Sequence, residues 1–135
     1  MKSKIAVILT CHNRKEKTLT CLRQLYSVSC MIEEIEMKVF LTDDASTDGT
    51  SDAIRQNFPE NDICILQGSG VMYWAGGMRF AWKEALKERE RWDFYLLLND
   101  DTYVMGNLFL EFVTQVGGDV GGFVGHDSGL LGFVG

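Results

Sequence analysis

The feature that most constrains the fold is an uninterrupted apolar run near the start of the chain. Residues 4–10, KIAVILT, are rich in β-branched side chains and carry no polar residue between the lysine and the threonine. A strand with one face in water alternates apolar and polar residues, whereas a continuous run is typical of a strand buried on both faces, as in a parallel sheet. We therefore expect this segment to lie inside a sheet that is covered on both sides.

Strand-like and helix-like segments alternate along the rest of the chain. The patterns predict strands over residues 37–42, 63–67 and 92–98, and helices over residues 16–28, 50–58, 78–92 and 107–116. The only proline, Pro59, ends the second of these helices. This alternation predicts an α/β fold of the Rossmann-like kind, with a mostly parallel sheet flanked by helices, in a single domain spanning residues 1–135.

The composition excludes several classes of protein. A hydrophobic content of 46% in 135 residues is enough for the core of one globular domain, and a net charge of −6 gives no general attraction to nucleic acid or to an anionic membrane surface. No apolar run is long enough for a secretory signal or a membrane span. We expect a cytoplasmic protein, either soluble or peripheral to the inner face of the membrane. The four cysteines show no CxxC spacing, which argues against a zinc site and predicts reduced thiols.

Three polar clusters follow predicted strands: residues 10–14, 43–50 and 99–102. In open α/β sheets, ligands bind beyond the carboxyl ends of the strands, so we expect all three clusters to line one edge. Two of them contain adjacent aspartates, which repel each other and resist desolvation unless a cation or hydrogen-bond donors compensate. A hard divalent ion would supply such a cation.

The NDD triplet is the candidate metal site. If the extended conformation continues past residue 98, the side chains of Asn99 and Asp101 point the same way, and Asp100 points to the opposite side. An amide oxygen and a carboxylate suit Mg²⁺ or Mn²⁺, which take further ligands from water and substrate phosphates. The alternative is a solvated turn capped by these polar side chains.

Four segments together resemble family 2 glycosyltransferases with the GT-A fold, near their rhamnosyltransferase-like branch. These segments are CHNR, TDDASTDGT, GSGVMYWAGGMRFAW and LLLNDDTYV, in that order, within residues 4–113. The resemblance implies a metal-dependent, inverting transfer of a sugar from a nucleotide-diphosphate-sugar to a hydroxyl of a saccharide or lipid-linked saccharide. It also implies that Asn99-x-Asp101 is a variant DxD motif that binds the metal.

The resemblance assigns the nucleotide to further residues. Asp44 would accept a hydrogen bond from the base, Asp43 would lie beside the ribose, and Thr10 and Asn13 would frame the base. Arg79 would face the diphosphate, and the sequence places it in the first turn of a helix, where backbone N–H groups are free to bind phosphate; a solvated helix arginine is the alternative.

Three side chains have two interpretations each. Asp100 either contacts the sugar or caps the turn. Tyr73 and Trp74 either stack on a sugar or base, or pack in the core.

The chain departs from this family in its length. Family members are considerably longer, so we expect a truncated domain that lacks most of the acceptor-binding half, and the catalytic base stays unassigned. Residues 117–135 are Gly-rich and predict a short strand over residues 120–124, followed by a mobile end. Two alternatives to an active transferase stay open: a nucleotide-sugar-binding fragment without turnover, and a Mg²⁺-dependent receiver-type signalling domain.

Overall fold

The computed structural model of the chain describes residues 2–32, 35–101, 123–125 and 130–134. The helices and strands in this part are β1 (Ser3–Cys11), α1 (Lys15–Cys30), β2 (Ile35–Asp43), α2 (Thr50–Asn57), β3 (Ile63–Gln67), α3 (Tyr73–Leu86), a 3-10 turn (Arg89–Arg91), β4 (Phe94–Asn99), β5 (Phe123–Gly125) and β6 (Leu130–Val134). The helix predicted over residues 107–116 lies outside the described residues.

The strands form one six-stranded sheet in the order β3-β2-β1-β4-β6-β5. The pairs β1–β2, β1–β4 and β2–β3 are parallel, whereas β6 is antiparallel to both β4 and β5. The predicted α/β fold with a mostly parallel sheet is confirmed. The strand β6 was not predicted, and the predicted mobility of the Gly-rich end stays a prediction.

The apolar run of β1 is buried because helices cover both faces of the sheet. Ile5, Val7 and Leu9 pack in one core with α1 and α2, while Ala6 and Ile8 pack in a second core with α3. Successive side chains of a strand point to opposite faces, so a central strand of a three-layer fold has no position for a polar residue until it reaches the sheet edge.

The register of the strands brings their polar ends together. Thr10 pairs with Thr42 on one side and with Asn99 on the other, and Cys11 pairs with Asp43. The three polar clusters therefore leave the sheet at the same level, at its carboxyl edge. This is the arrangement that the alternation of strands and helices predicted.

The third helix begins earlier than predicted, at Tyr73 rather than at residue 78. Gly76 already donates its N–H to the carbonyl of Met72, at 3.1 Å. Arg79 therefore lies in the second turn of α3, where backbone N–H groups bond to carbonyls of the preceding turn. The prediction of free N–H groups beside Arg79 is wrong, because the aromatic residues before the glycines are themselves helical.

Close packing of α3 against the sheet depends on Gly77. A Cβ atom at this position would collide with the side chain of Thr10, and the Thr42 hydroxyl donates a hydrogen bond of 2.8 Å to the Gly77 carbonyl. Glycine lets the helix backbone approach β1 and β2 at the level where the polar clusters begin, which places the start of α3 beside the candidate site.

Candidate functional site

A pocket of about 450 Å³ opens at the carboxyl edge of the sheet, between the ends of β1, β2 and β4 and the start of α3. Its lining consists of Thr10, Cys11, His12, Arg14, Asp44, Gly70, Tyr73, Trp74, Asn99, Asp100 and Asp101. Five of the predicted site residues are in this set: Thr10, Asp44, Asn99, Asp100 and Asp101. The other three, Asn13, Asp43 and Arg79, lie outside it.

The NDD triplet spans the end of β4, since Asn99 is the last residue of the strand and the two aspartates lie in the turn that follows. All three residues line the pocket. The expectation that Asp100 points away from its neighbours is wrong. It required an extended backbone through residue 101, but the strand ends at Asn99. The turn gathers two carboxylates and one amide oxygen on the same side.

A guanidinium lies against both carboxylates. The Nη1 atom of Arg14 is 3.1 Å from Oδ2 of Asp101 and 3.7 Å from Oδ1 of Asp100. The side chain of Asp100 is only 13% exposed, whereas those of Arg14 and Asp101 are 50% and 44% exposed. Sequence reasoning did not nominate Arg14, although it belongs to the CHNR segment that follows β1.

The environment of Asp100 opposes its ionisation. Burial raises the pKa of the Asp100 carboxyl above its ordinary value, the Arg14 guanidinium works against this shift, and the adjacent Asp101 adds to it. A cation beside Asp100 therefore stabilises its ionised form.

Asp44 organises the loop that leads into α3. Its carboxylate is 4% exposed and accepts hydrogen bonds from three backbone N–H groups: Gly70 at 2.6 Å, Met72 at 3.0 Å and Tyr73 at 3.2 Å. Gly70 has a φ of +94°, a left-handed conformation that glycine adopts without strain. One buried carboxylate thus determines where the first turn of α3 begins.

Asp43 has a similar structural task in its own loop. It is 3% exposed, one oxygen accepts the N–H of Ser46 at 3.0 Å, and the other accepts the hydroxyl of Ser51. Asn13 joins the loop after β1 to the loop after β2, since its Oδ1 accepts the N–H of Thr47 at 2.7 Å. These bonds position the loops, and a contact of Asp43 or Asn13 with a ligand stays a prediction.

Asp48 connects the two helices that follow these loops. Its Oδ2 accepts the N–H of Lys15 at 3.0 Å, at the first residue of α1. Its Oδ1 accepts both the N–H and the hydroxyl of Thr50, the first residue of α2. The hydroxyl of Thr50 is the main reason that the pKa of Asp48 lies below its ordinary value.

Two aromatic residues form the exposed wall of the pocket. Tyr73 is 76% exposed with a φ of +56°, and Trp74 is 52% exposed and donates its indole N–H to Oδ1 of Asn99 at 2.9 Å. Neither ring belongs to the core, so the core interpretation of both is wrong. The indole also links the aromatic wall to the first position of the NDD triplet.

Two further lining residues, Cys11 and His12, are constrained by their surroundings. Burial, reinforced by the charge of Asp43, raises the pKa of the Cys11 thiol, which therefore stays protonated and is a poor nucleophile. The Nδ1 atom of His12 lies 2.6 Å from the carbonyl oxygen of Asp44. Because a carbonyl oxygen only accepts hydrogen bonds, Nδ1 of His12 is the donor. This bond holds the loop after β1 against the loop after β2.

The donor set at the NDD turn fits a small divalent cation. Asn99, Asp100 and Asp101 present oxygen atoms to one pocket, and Mg²⁺ or Mn²⁺ requires only one or two carboxylates when water and phosphate complete its shell. Within residues 2–32 and 35–101, no group of three or more histidine, cysteine or acidic side chains has the geometry of a complete protein-only site. The position of Arg14 shows that a positive charge is accommodated between the two carboxylates.

No helix in the described part of the chain is both long and apolar enough to cross a membrane.

Comparison with solved structures finds proteins of the same fold. The chain is similar to the mannosyltransferase PcManGT from Pyrobaculum calidifontis, solved with GDP-Man and Mn²⁺, with a TM-score of 0.79 and 15% identity over 99% of this chain and 45% of that one. It is also similar to S. aureus TarS in complex with UDP-GlcNAc, with a TM-score of 0.67 and 20% identity over 87% of this chain and 31% of that one. A 4-diphosphocytidyl-2C-methyl-D-erythritol synthase gives a TM-score of 0.63 and 14% identity, over 90% of this chain and 58% of that one.

These similarities confirm the predicted GT-A fold, and the chain spans less than half the length of the first two structures. No curated protein sequence gave a significant match. The model of the family named Glycosyl transferase family 2 matches residues 6–126. Because that match covers most of the chain, this protein belongs to glycosyl transferase family 2.

Proposed function

We propose that the pocket binds a nucleotide-diphosphate-sugar and that the protein transfers its sugar to an acceptor hydroxyl with the help of Mg²⁺ or Mn²⁺. The observation that carries this proposal is the convergence of Asp44 and the NDD turn on one pocket at the carboxyl edge of the sheet. Two structures with the same fold were solved with nucleotide-sugars, GDP-Man with Mn²⁺ in one case and UDP-GlcNAc in the other.

The charge of the pocket supports a role for a divalent cation. Its described lining holds the three carboxylates of Asp44, Asp100 and Asp101 against the single guanidinium of Arg14. A nucleotide-diphosphate-sugar carries about two negative charges beside the bond that breaks, and departure of the nucleotide concentrates that charge on the leaving oxygen. The lining alone would repel this donor. A bound divalent ion would neutralise the carboxylates and stabilise the leaving diphosphate.

Asn99, Asp100 and Asp101 would hold the cation through their oxygen atoms. Asn99 already accepts one hydrogen bond from Trp74, which leaves its second lone pair available. Asp101 is half-exposed and offers the more accessible carboxylate, whereas the side chain of Asp100 is only 13% exposed. Arg14 is the cationic side chain in the described lining, and we assign it to the diphosphate ahead of Arg79, which is exposed outside the pocket.

Asp44 has limited capacity for a direct contact with the base. An ionised carboxylate offers about four acceptor positions, and three of those on Asp44 receive backbone N–H groups. One position remains for a base donor, so we propose that Asp44 both orders the loop and accepts one hydrogen bond from the base. Thr10 lines the same pocket, and the proposed contacts of Asn13 and Asp43 require the loops to adjust on binding.

The remaining proposals rest on the family and on the composition of the sequence. We propose inversion at the anomeric carbon, a saccharide or lipid-linked saccharide as acceptor, and a cytoplasmic location. The described residues identify no catalytic base. This chain spans 45% of one related structure and 31% of another. Sugar transfer by this chain is therefore itself a proposal.

Calorimetric titration with UDP, GDP and dTDP, with and without Mn²⁺, tests the proposal. We expect one nucleotide to bind in a Mn²⁺-dependent manner. The Asp101→Ala variant should lose the Mn²⁺ dependence and keep its fold, because Asp101 lies half-exposed at the rim. Asp52→Ala is the matched control, since Asp52 is exposed on α2 and pairs only with Arg55 among the contacts described. An unchanged metal response in the Asp101 variant would reject the assigned metal site, and absence of binding to all three nucleotides would reject the function.

A nucleotide-sugar-binding unit without turnover is the second candidate. The observation in its favour is the fraction of the related structures that this chain covers. Donor hydrolysis, measured as release of free nucleotide with Mn²⁺ present, separates the two candidates. The receiver-type alternative has lost its basis, because the chain belongs to a different family.

A further inference from the structure

Arg14 is the feature of the pocket that the sequence interpretation did not use. Its guanidinium occupies the space between Asp100 and Asp101, within 3.1 Å of one and 3.7 Å of the other. Among the side chains that the structure describes around this pocket, it is the only arginine or lysine. It therefore contacts the same oxygen atoms that a divalent ion would need.

The backbone of Arg14 is fixed, whereas its side chain has room to move. The carbonyl of Arg14 accepts the N–H of Thr18 at 2.9 Å, and the next residue, Lys15, is held by Asp48 at 3.0 Å. The side chain itself is 50% exposed. An arginine with a fixed Cα and a half-exposed guanidinium can exchange one anionic partner for another by changing rotamers, without a movement of the helix.

The existing ion pair is weak enough to be replaced. Half-exposed ion pairs contribute little net free energy, because water screens the charges and the long side chain loses conformational freedom. A divalent ion at Asp101 carries twice the charge and binds the carboxylate oxygen more closely than a guanidinium does. The two cations cannot share the oxygen atoms, since the repulsion between them would be strong at a separation of a few ångströms.

We propose that Arg14 acts as an internal counter-cation of Asp100 and Asp101, that a divalent ion displaces it, and that the released guanidinium then binds the diphosphate of the donor. This inference rests on the proposed function and adds a positioning role for one residue. Arg14 would oppose binding of the metal alone and favour binding of metal and nucleotide together. The displaced guanidinium gains a new anionic partner only when the diphosphate is present, so the two ligands should bind with positive coupling.

Mn²⁺ binding, measured by the loss of the free Mn²⁺ signal in electron paramagnetic resonance, tests the proposal without an activity assay. In the Arg14→Met variant, we expect Mn²⁺ alone to bind about tenfold more tightly, because a competing positive charge is gone. The affinity for the preferred nucleoside diphosphate at saturating Mn²⁺ should fall roughly tenfold, because a charge-assisted contact is lost. Arg14→Lys keeps the charge and should recover part of the nucleotide affinity.

Arg23→Met is the matched control. Arg23 lies on α1, which begins directly after Arg14; it is exposed and donates to Asn57 rather than to the pocket. Neither affinity should change in this variant. Circular dichroism of each variant establishes that it is folded.

A separate measurement on the unmodified protein does not depend on any substitution. The nucleoside diphosphate should raise the affinity of this protein for Mn²⁺ at least about tenfold, as coupled sites do.

The outcomes separate this inference from the proposed function. Opposite changes in the two affinities of Arg14→Met support the role of Arg14. If Mn²⁺ alone binds no more tightly to Arg14→Met, while the unmodified protein binds Mn²⁺ with nucleotide, the role of Arg14 is refuted and the proposed function stands. Absence of coupling in the unmodified protein also refutes the role of Arg14. If neither protein binds Mn²⁺ with any of the three nucleotides, both proposals fail.

Discussion

Replacing Asp44 by asparagine should destabilise the protein even when no ligand is present. The carboxylate is 4% exposed, and its two oxygens accept the N–H groups of Gly70, Met72 and Tyr73. An asparagine side chain has the same size but offers one oxygen and one NH₂ group. Whichever way it is oriented, the NH₂ group faces at least one backbone N–H that needs an acceptor.

The magnitude follows from the number of bonds affected. Hydrogen bonds to a charged group contribute about 1.5–3 kcal/mol each, and a buried donor without a partner costs about 1–3 kcal/mol. The preferred orientation keeps the oxygen on the side of Met72 and Tyr73 and gives up the bond from Gly70. We therefore expect a loss of roughly 2–3 kcal/mol in the free energy of unfolding, and a larger loss for Asp44→Ala. Domains of this kind have about 5–15 kcal/mol in total.

Urea denaturation followed by circular dichroism, without nucleotide or metal, measures this loss. Asp52→Asn is the control, because the side chain of Asp52 is 82% exposed and should cost less than about 0.5 kcal/mol. If Asp44 served only to bind the base, the free protein would be unaffected by its substitution. A change below about 0.5 kcal/mol in Asp44→Asn would therefore refute the structural role that the hydrogen bonds indicate.

Three further predictions concern neighbouring positions. Asp48→Ala should cost about 2 kcal/mol in urea denaturation, because one carboxylate caps two helices and each cap contributes about 1 kcal/mol. The hydroxyl of Thr50 lowers the pKa of Asp48 in the folded protein. The stabilisation by the Asp48 carboxylate is therefore fully present above the ordinary pKa of 3.8 and is lost as the pH falls below that value. The difference in stability between the unmodified protein and Asp48→Ala should narrow below pH 3.8. Gly77→Ala should lower the free energy of unfolding by about 1–3 kcal/mol, because the added methyl group would collide with the side chain of Thr10 on β1. The loss would be measured as a lower unfolding midpoint. Nucleotide binding should change the tryptophan fluorescence of the protein but not of Trp74→Phe, since Trp74 is half-exposed at the pocket and bonded to Asn99.

Two of these predictions have a matched control variant. Gly76→Ala places a methyl group on the same helix 3.3 Å from the Cβ of Met72, and it should be neutral or stabilising by up to about 1 kcal/mol. Equal effects of the two glycine substitutions would contradict the packing argument. Trp82→Phe should keep the fluorescence response, because Trp82 packs against the second core away from the pocket. A constant stability difference between the Asp48 variant and the unmodified protein from pH 7 down to pH 3 would contradict the capping role.

Much of the fold could be predicted from local sequence patterns. The run over residues 4–10 has no polar position because helices cover both faces of β1, and the strand Ile63–Gln67 has the predicted boundaries. The start of α3 was placed too late, because Gly76 and Gly77 are poor helix formers in isolation. Tertiary contacts overrule that preference: Asp44 anchors the first turn, and Gly77 is needed for close packing against Thr10.

The sequence by itself determined which residue types gather at the carboxyl edge of the sheet, because the alternation of strands and helices places the carboxyl ends of the parallel strands at one edge. Only the tertiary structure decided which hydrogen-bond donors and charged groups each of those side chains contacts. It committed Asp43 to donors in its own loop and in α2, and Asp44 to backbone donors before α3. It also brought Arg14 against Asp100 and Asp101 across a gap of more than eighty residues in sequence. Hydrogen bonds and ion pairs depend on distances of about 3 Å, which the spacing of residues along a chain does not specify.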